Sequence, residues 1–182
     1  MFKKILDWLY YFFEFFGNHN MLFAKMYIYY HKSSVLKEIK LAGLKSTDRI
    51  LHIGCGAIPY TSIILSEETN VRIVGIDRQK KVVNHARQFV KRLNLENKII
   101  IKKQSGETLD ISKFNVVFLS YGVIDTDRVL KNVFEKIEKN GKIILRKSTS
   151  DRNEYVDSII SKYAVNRLKL LLAQESILIV KK

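Results

Sequence analysis

The run Ile50-Leu-His-Ile-Gly-Cys-Gly-Ala-Ile-Pro-Tyr-Thr-Ser62, followed by Val71-Arg-Ile-Val-Gly-Ile-Asp77, leaves this chain few folds to adopt. A short apolar run enters a Gly-x-Gly turn. A helix-like segment follows, then a second apolar run that stops on one aspartate. This is how a nucleotide-binding βαβ unit is written: glycines let the backbone turn tightly and approach a ligand. Asp77 lies twenty-one residues past Gly56, the spacing at which an acid reaches ribose hydroxyls. The bland alternative is a tight turn beside a surface aspartate. The strand before the turn and the acid-terminated strand after it argue against that reading.

The flanking sequence extends the pattern. Arg49–Ile53 reads as a strand and Pro59–Ser66 as the helix after it, with Pro59 allowed in the first turn. Val71–Ile76 is the second strand. Lys80–Leu93 is the clearest helix, with Val82, Ala86, Phe89, Val90 and Leu93 on one face. Ile99–Lys102 and Phe114–Ser120 read as the third and fourth strands, the latter apolar enough to be covered on both faces. Their separation is too short for a full crossover helix, so that helix is very short or lost. Asp127–Glu138 is a helix burying Leu130, Val133, Phe134 and Ile137, and Lys142–Arg146 is the fifth strand. Asp151–Tyr163 reads as a helix. Arg167–Leu172 and Ser176–Lys181 are strands whose short link suits an antiparallel hairpin. Alternating strands and helices mean an α/β fold with a parallel sheet.

Residues 1–45 differ. Phe2–Phe16 is strongly aromatic, with Lys3, Asp7 and Glu14 on one narrow helical stripe. Met21–Tyr30 is a second apolar segment and Ser34–Leu44 a third, amphipathic one. Packing on the sheet is the first reading of these helices. A lid over the ligand cleft is the second, and a dimer or membrane-surface contact the third. Neither aromatic segment reaches the about 18 apolar residues of a membrane span. A signal peptide is disfavoured by Asp7 and Glu14. We expect a small helical extension over 1–45 and a main domain over 46–182.

The 182 residues carry a net charge of +14 and one cysteine, Cys55. A single cysteine excludes an intramolecular disulfide framework and fits a reducing, cytoplasmic setting. The charge permits an anionic partner, nucleic acid included, but the lysines are spread along the chain and no like-charge run reaches five.

A mostly parallel sheet closed by an antiparallel pair resembles the class I S-adenosylmethionine-dependent methyltransferase superfamily. The resemblance covers about residues 45–182. It implies a Rossmann-like, doubly wound, seven-stranded sheet of order 3-2-1-4-5-7-6, with S-adenosylmethionine at the carboxyl ends of the first, second and fourth strands. It also implies roles. Gly54, Cys55 and Gly56 would face the methionine part of the cofactor, and side chains at the glycines would occupy ligand volume. Asp77 would accept hydrogen bonds from the ribose. Arg78 would cover the adenine or stay solvated, and Ser105 and Gly106 would lie near the adenine amine. Ser120 and Tyr121 would face the transfer site. Cys55 reads as a small turn residue before it reads as a nucleophile. Tyr121 and His52 are the candidates for moving a proton; His52 reads equally as a strand-end residue satisfied by backbone. No metal is expected.

The chain departs from that superfamily's pattern. His52 stands where an acid is usual, Ile58 where a third glycine would fall, and Asn115 where an aspartate often begins the fourth strand. Ser120-Tyr-Gly-Val123 replaces the amine-methylating Asn-Pro-Pro-Tyr signature. The loop Gly54-Cys-Gly-Ala-Ile-Pro-Tyr-Thr-Ser62 is also similar to that of nicotianamine-synthase-like enzymes, which transfer the aminocarboxypropyl arm of the same cofactor to an amine. Methyl transfer to an unidentified acceptor, a small amine or an anionic molecule, is the leading expectation. Aminocarboxypropyl transfer is the alternative, and a non-catalytic binding module the third. A nicotinamide-dependent oxidoreductase is disfavoured by Ile58 and the final hairpin.

Overall fold

The computed structural model describes residues 21–170 and 174–182. The aromatic segment Phe2–Phe16 therefore lies outside the described residues. The first described element is a helix, α1 (Met21–Ala42). Two segments were expected here and one continuous helix is found, because His31-Lys-Ser33 contains neither glycine nor proline to break it. The alternating body follows: β1 (Ile50–Ile53), α2 (Tyr60–Thr69), β2 (Ile73–Asp77), α3 (Lys80–Arg92), β3 (Ile99–Lys103) and β4 (Val116–Leu119). It continues with α4 (Thr126–Lys136), β5 (Lys142–Ser148), α5 (Glu154–Tyr163), β6 (Ala164–Lys169) and β7 (Gln174–Val180).

The seven strands form one sheet of order β3-β2-β1-β4-β5-β7-β6, as expected. The first five pair in parallel; β7 pairs antiparallel with β5 and β6. No helix intervenes between β3 and β4, in keeping with their short link. β4 is buried at all four positions. On α3 the innermost residues are Val83, Ala86, Phe89 and Val90. Val83 takes the place expected for Val82; with Ala86 and Val90 it keeps the three- and four-residue spacing of one helical face.

Strand alternation sorts the core into layers. Leu51, Ile53, Val117, Leu119, Ile143 and Leu145 point to the side covered by α4 and α5. Ile50, Val116, Phe118, Ile144 and Leu178 point to the side covered by α1 and α2, where Val35 and Ala42 of α1 meet Ile64 and Leu65 of α2. A third cluster joins α3, β3 and Ile58 to Ala24 of α1. Thus α1 contributes Ala24, Val35 and Ala42 to the core at 3% exposure or less, while Leu22, Met26 and Tyr29 on its other side are exposed. No described helix is long and apolar enough to cross a membrane.

Candidate cofactor cleft

Parallel strands deliver their loops to one edge, and the order reverses between β1 and β4. A crevice opens there. The bend after β1 is tied to the end of β2: the Gly54 and Cys55 amides both donate to the Ile76 carbonyl, at 2.9 and 3.0 Å. Gly54 and Gly56 have φ of 72° and 69°, a region that favours glycine. A Cβ on Gly54 would come within 2.5 Å of Val123 Cγ2. The β4–α4 loop therefore excludes a side chain at Gly54. Gly106 is similar, since a Cβ there would meet Ile53 at 2.8 Å and Val129 at 2.9 Å.

Asp77 closes β2 beside this bend. Its Oδ1 accepts from the Gln79 amide at 3.0 Å, and its Oδ2 lies 3.4 Å from the Gly56 amide. The second contact is long, which leaves that oxygen capacity for a further donor. Carboxylate and bend share one cavity of about 170 Å³. Of the residues expected at the cofactor, Gly54, Gly56, Asp77, Arg78, Ser105, Gly106 and Tyr121 line it. Cys55 and Ser120 do not; Cys55 is 3% exposed. Sequence reasoning missed Gln79, Gln104, Glu107 and the run Gly122–Ile124, which also line it. Their adjacency to Asp77, Ser105 and Tyr121 was the available signal.

Two polar contacts shape the rim. Asn132 of α4 donates to the carbonyls of Gly106 and Leu109, at 2.8 and 3.0 Å, which fixes the loop after β3. Arg78 lies 3.8 Å from Asp125 across the mouth of the cleft, an exposed pair of small energetic weight. Beyond Tyr121–Ile124 a second cavity, of about 720 Å³, runs between the β4–α4 loop and the segment after β5. Tyr121 lines both cavities.

His52 lies close to the second of its two expected readings, a satisfied strand residue, with serine hydroxyls and not backbone as its partners. It shares the parity of Ile50 and so points to the α1/α2 side, at 1% exposure. One ring nitrogen bonds Ser62 Oγ and the other Ser120 Oγ, each at 2.8 Å. Burial, with the Arg146 charge adding to it, pushes its pKa down to about 3, away from neutrality. The same two causes hold His31 near 4.

This sets a pH dependence. Both imidazoles stay neutral in the folded chain but protonate near 6.5 when unfolded. Between about pH 6.5 and 4 the unfolded chain binds more protons, so stability falls as pH falls. The full contribution is present above pH 6.5, and each histidine costs about 1.4 kcal/mol per pH unit below it. The depressed carboxylates Asp110 and Asp157 act only below this window. Urea unfolding of wild type and His52→Asn at pH 7.5, 6 and 5 should show a shallower slope for the variant. An identical slope excludes His52 as a source.

Comparison with known proteins agrees with this fold. A family model described as a methyltransferase domain matches residues 44–175. The chain belongs to this methyltransferase domain family, within the class I S-adenosylmethionine-dependent superfamily. It is similar to L-histidine 2-aminobutanoyltransferase of Yersinia pestis, 26% identical over 120 residues, which are 66% of this chain and 45% of that one. The chain spans about half the length of the curated relatives it matches. Among solved structures, a substituted form of MtNAS in complex with S-adenosylmethionine superposes with a TM-score of 0.77 at 18% identity. That match covers 99% of this chain and 74% of that one. An RNA methyltransferase of Salinibacter ruber in complex with S-adenosyl-L-homocysteine has a TM-score of 0.65 at 17% identity, covering 81% and 90% of the two chains.

Proposed function

We propose that this chain is an S-adenosylmethionine-dependent transferase that methylates a still unidentified acceptor. The observation that carries the reading is the Asp77 carboxylate set against the Gly54–Gly56 bend in one cavity. The donor set suits the cofactor: a carboxylate for ribose hydroxyls, glycine backbone for the methionine part, and Val123 and Ile124 for an apolar face. When bound, the cofactor supplies an electrophilic carbon on its sulfonium. The chain's part is to hold it, orient the acceptor and limit water. The second cavity is the acceptor's place in this reading. In this reading Tyr121, which lines both cavities, takes part in acceptor deprotonation. His52 then acts as a buried strut.

A second reading has its own support. The loop Pro59-Tyr-Thr-Ser62 and the likeness to L-histidine 2-aminobutanoyltransferase and MtNAS favour transfer of the aminocarboxypropyl arm. Incubation with S-adenosylmethionine and candidate amines, L-histidine among them, separates the two by product. S-adenosylhomocysteine marks methyl transfer; methylthioadenosine marks the other.

Binding itself is tested by thermal shift with S-adenosylmethionine, S-adenosylhomocysteine and NAD. Ligand at a hundred times its dissociation constant stabilises by about 2.7 kcal/mol. For a chain of this size that raises Tm by roughly 5–10 °C. Asp77→Ala should lose most of the shift. A response to NAD alone, or a full response from the variant, overturns the reading.

A further inference from the structure

Behind the cofactor bend lies a buried polar network that neither the cleft nor its chemistry accounts for. Arg146 of β5 is 6% exposed and Glu38 of α1 is fully buried. Arg146 Nε donates to Glu38 Oε1 at 2.7 Å, and its Nη2 donates to Oε2, a bidentate pair. Ser176 of β7 donates a further bond to the same carboxylate. The remaining nitrogen, Nη1, donates to Thr61 Oγ1 at 2.8 Å and to the Tyr60 hydroxyl at 3.2 Å. These are the first two residues of α2, directly after the loop that carries Gly54 and Gly56. The Tyr60 ring is also stacked on His31 of α1, at 4.3 Å and 20°.

This start of α2 has no side-chain cap of its own. The next residue, Ser62, is held by His52, which also holds Ser120 next to Tyr121. Three consecutive residues are thus fastened from two sides, by Arg146 and by His52. A buried ion pair is a poor way to gain stability, because desolvation offsets its attraction. It does hold a planar, bidentate geometry, and Arg146 passes that geometry on to Thr61 and Tyr60.

We propose that Arg146 and Glu38 are positioning residues that fix the cofactor loop through Thr61 and Tyr60. Through them α1 becomes a working part of the cofactor site. The inference rests on the reading of the cleft given above. Glu38, Tyr60 and Thr61 line neither cavity, and Arg146 lines only the second one, so none of the four touches the cofactor in this reading.

The test is titration of S-adenosylhomocysteine by calorimetry at 15 °C, alongside Tm, for wild type, Thr61→Val, Thr61→Ser, Tyr60→Phe and Glu38→Gln. Thr61→Val should bind about tenfold more weakly, equivalent to about 1.4 kcal/mol. Thr61→Ser, which keeps the hydroxyl, should restore affinity to within about twofold, and Glu38→Gln, where it folds, should weaken binding at least as much as Thr61→Val. A purely structural network lowers Tm and leaves affinity unchanged. Unaltered affinity in both Thr61→Val and Tyr60→Phe overturns the inference while the cleft reading stands. No binding by wild type overturns the cleft reading, and the inference with it.

Discussion

Glu38→Ala should lower Tm by roughly 6–20 °C. The side chain is fully buried, and its two oxygens are the counter-charge for a buried guanidinium. Removing one partner of such a pair leaves an uncompensated charge and costs about 3–5 kcal/mol. At this chain length each kcal/mol moves Tm by about 2–4 °C. A double replacement, Glu38→Met with Arg146→Met, should recover part of the loss, since two apolar side chains of similar volume leave no stranded charge. The two effects are therefore expected to be far from additive. Thermal unfolding of the two single variants and the double one checks this. A Glu38→Ala protein within 2 °C of wild type would mean that water reaches Arg146.

Gly54→Ala should abolish the thermal shift with S-adenosylhomocysteine and destabilise the chain by about 2–5 kcal/mol. Two costs combine. Alanine at φ 72° is strained by about 1–2 kcal/mol. Its Cβ would also press on Val123 Cγ2 from 2.5 Å, and overpacking of this kind costs about 1–3 kcal/mol. Val123 is in the run that lines the cleft, so relief by moving its loop deforms the site. Val123→Ala in the Gly54→Ala background relieves the clash but not the φ strain. It should return part of the stability. Full recovery of both stability and binding would show that backbone strain counts for little here.

The half of the cleft built by the glycine bend and Asp77 was legible in the sequence because its residues follow one another along the chain. Glycines at a bend and an acid closing the next strand are local signals, and topology then brings 54–56 against 77 by the pairing of β1 with β2. Apolar runs alternating with amphipathic helices, then a short link, gave a parallel sheet closed by an antiparallel pair; the strand order itself was what the methyltransferase resemblance implied. Strand limits shifted by one to three residues, since apolar content does not mark where a ladder stops. The N-terminal expectation was coarser. Aromatic segments told of burial but not that Met21–Ala42 runs as one helix.

The role of His52 could not be read locally. Its residue type left two readings open, a proton carrier beside the glycine loop and a satisfied strand-end residue. Its strand parity turns it to the α1/α2 side, between Ser62 and Ser120. Parity was available from Ile50 and Ile53, but which face would meet the cleft was not.

What the chain's sequence determined alone is the βαβ unit, the alternation that makes a parallel sheet and the acid that closes β2. These depend on periodicity and turn chemistry within a few residues. Tertiary structure alone decided that Glu38 meets Arg146 and that Arg146 reaches Tyr60 and Thr61. Those partners lie 85 to 108 residues apart from Arg146. Only the closing of α1 over the sheet gives a buried charge its counter-charge, and no local pattern encodes that encounter.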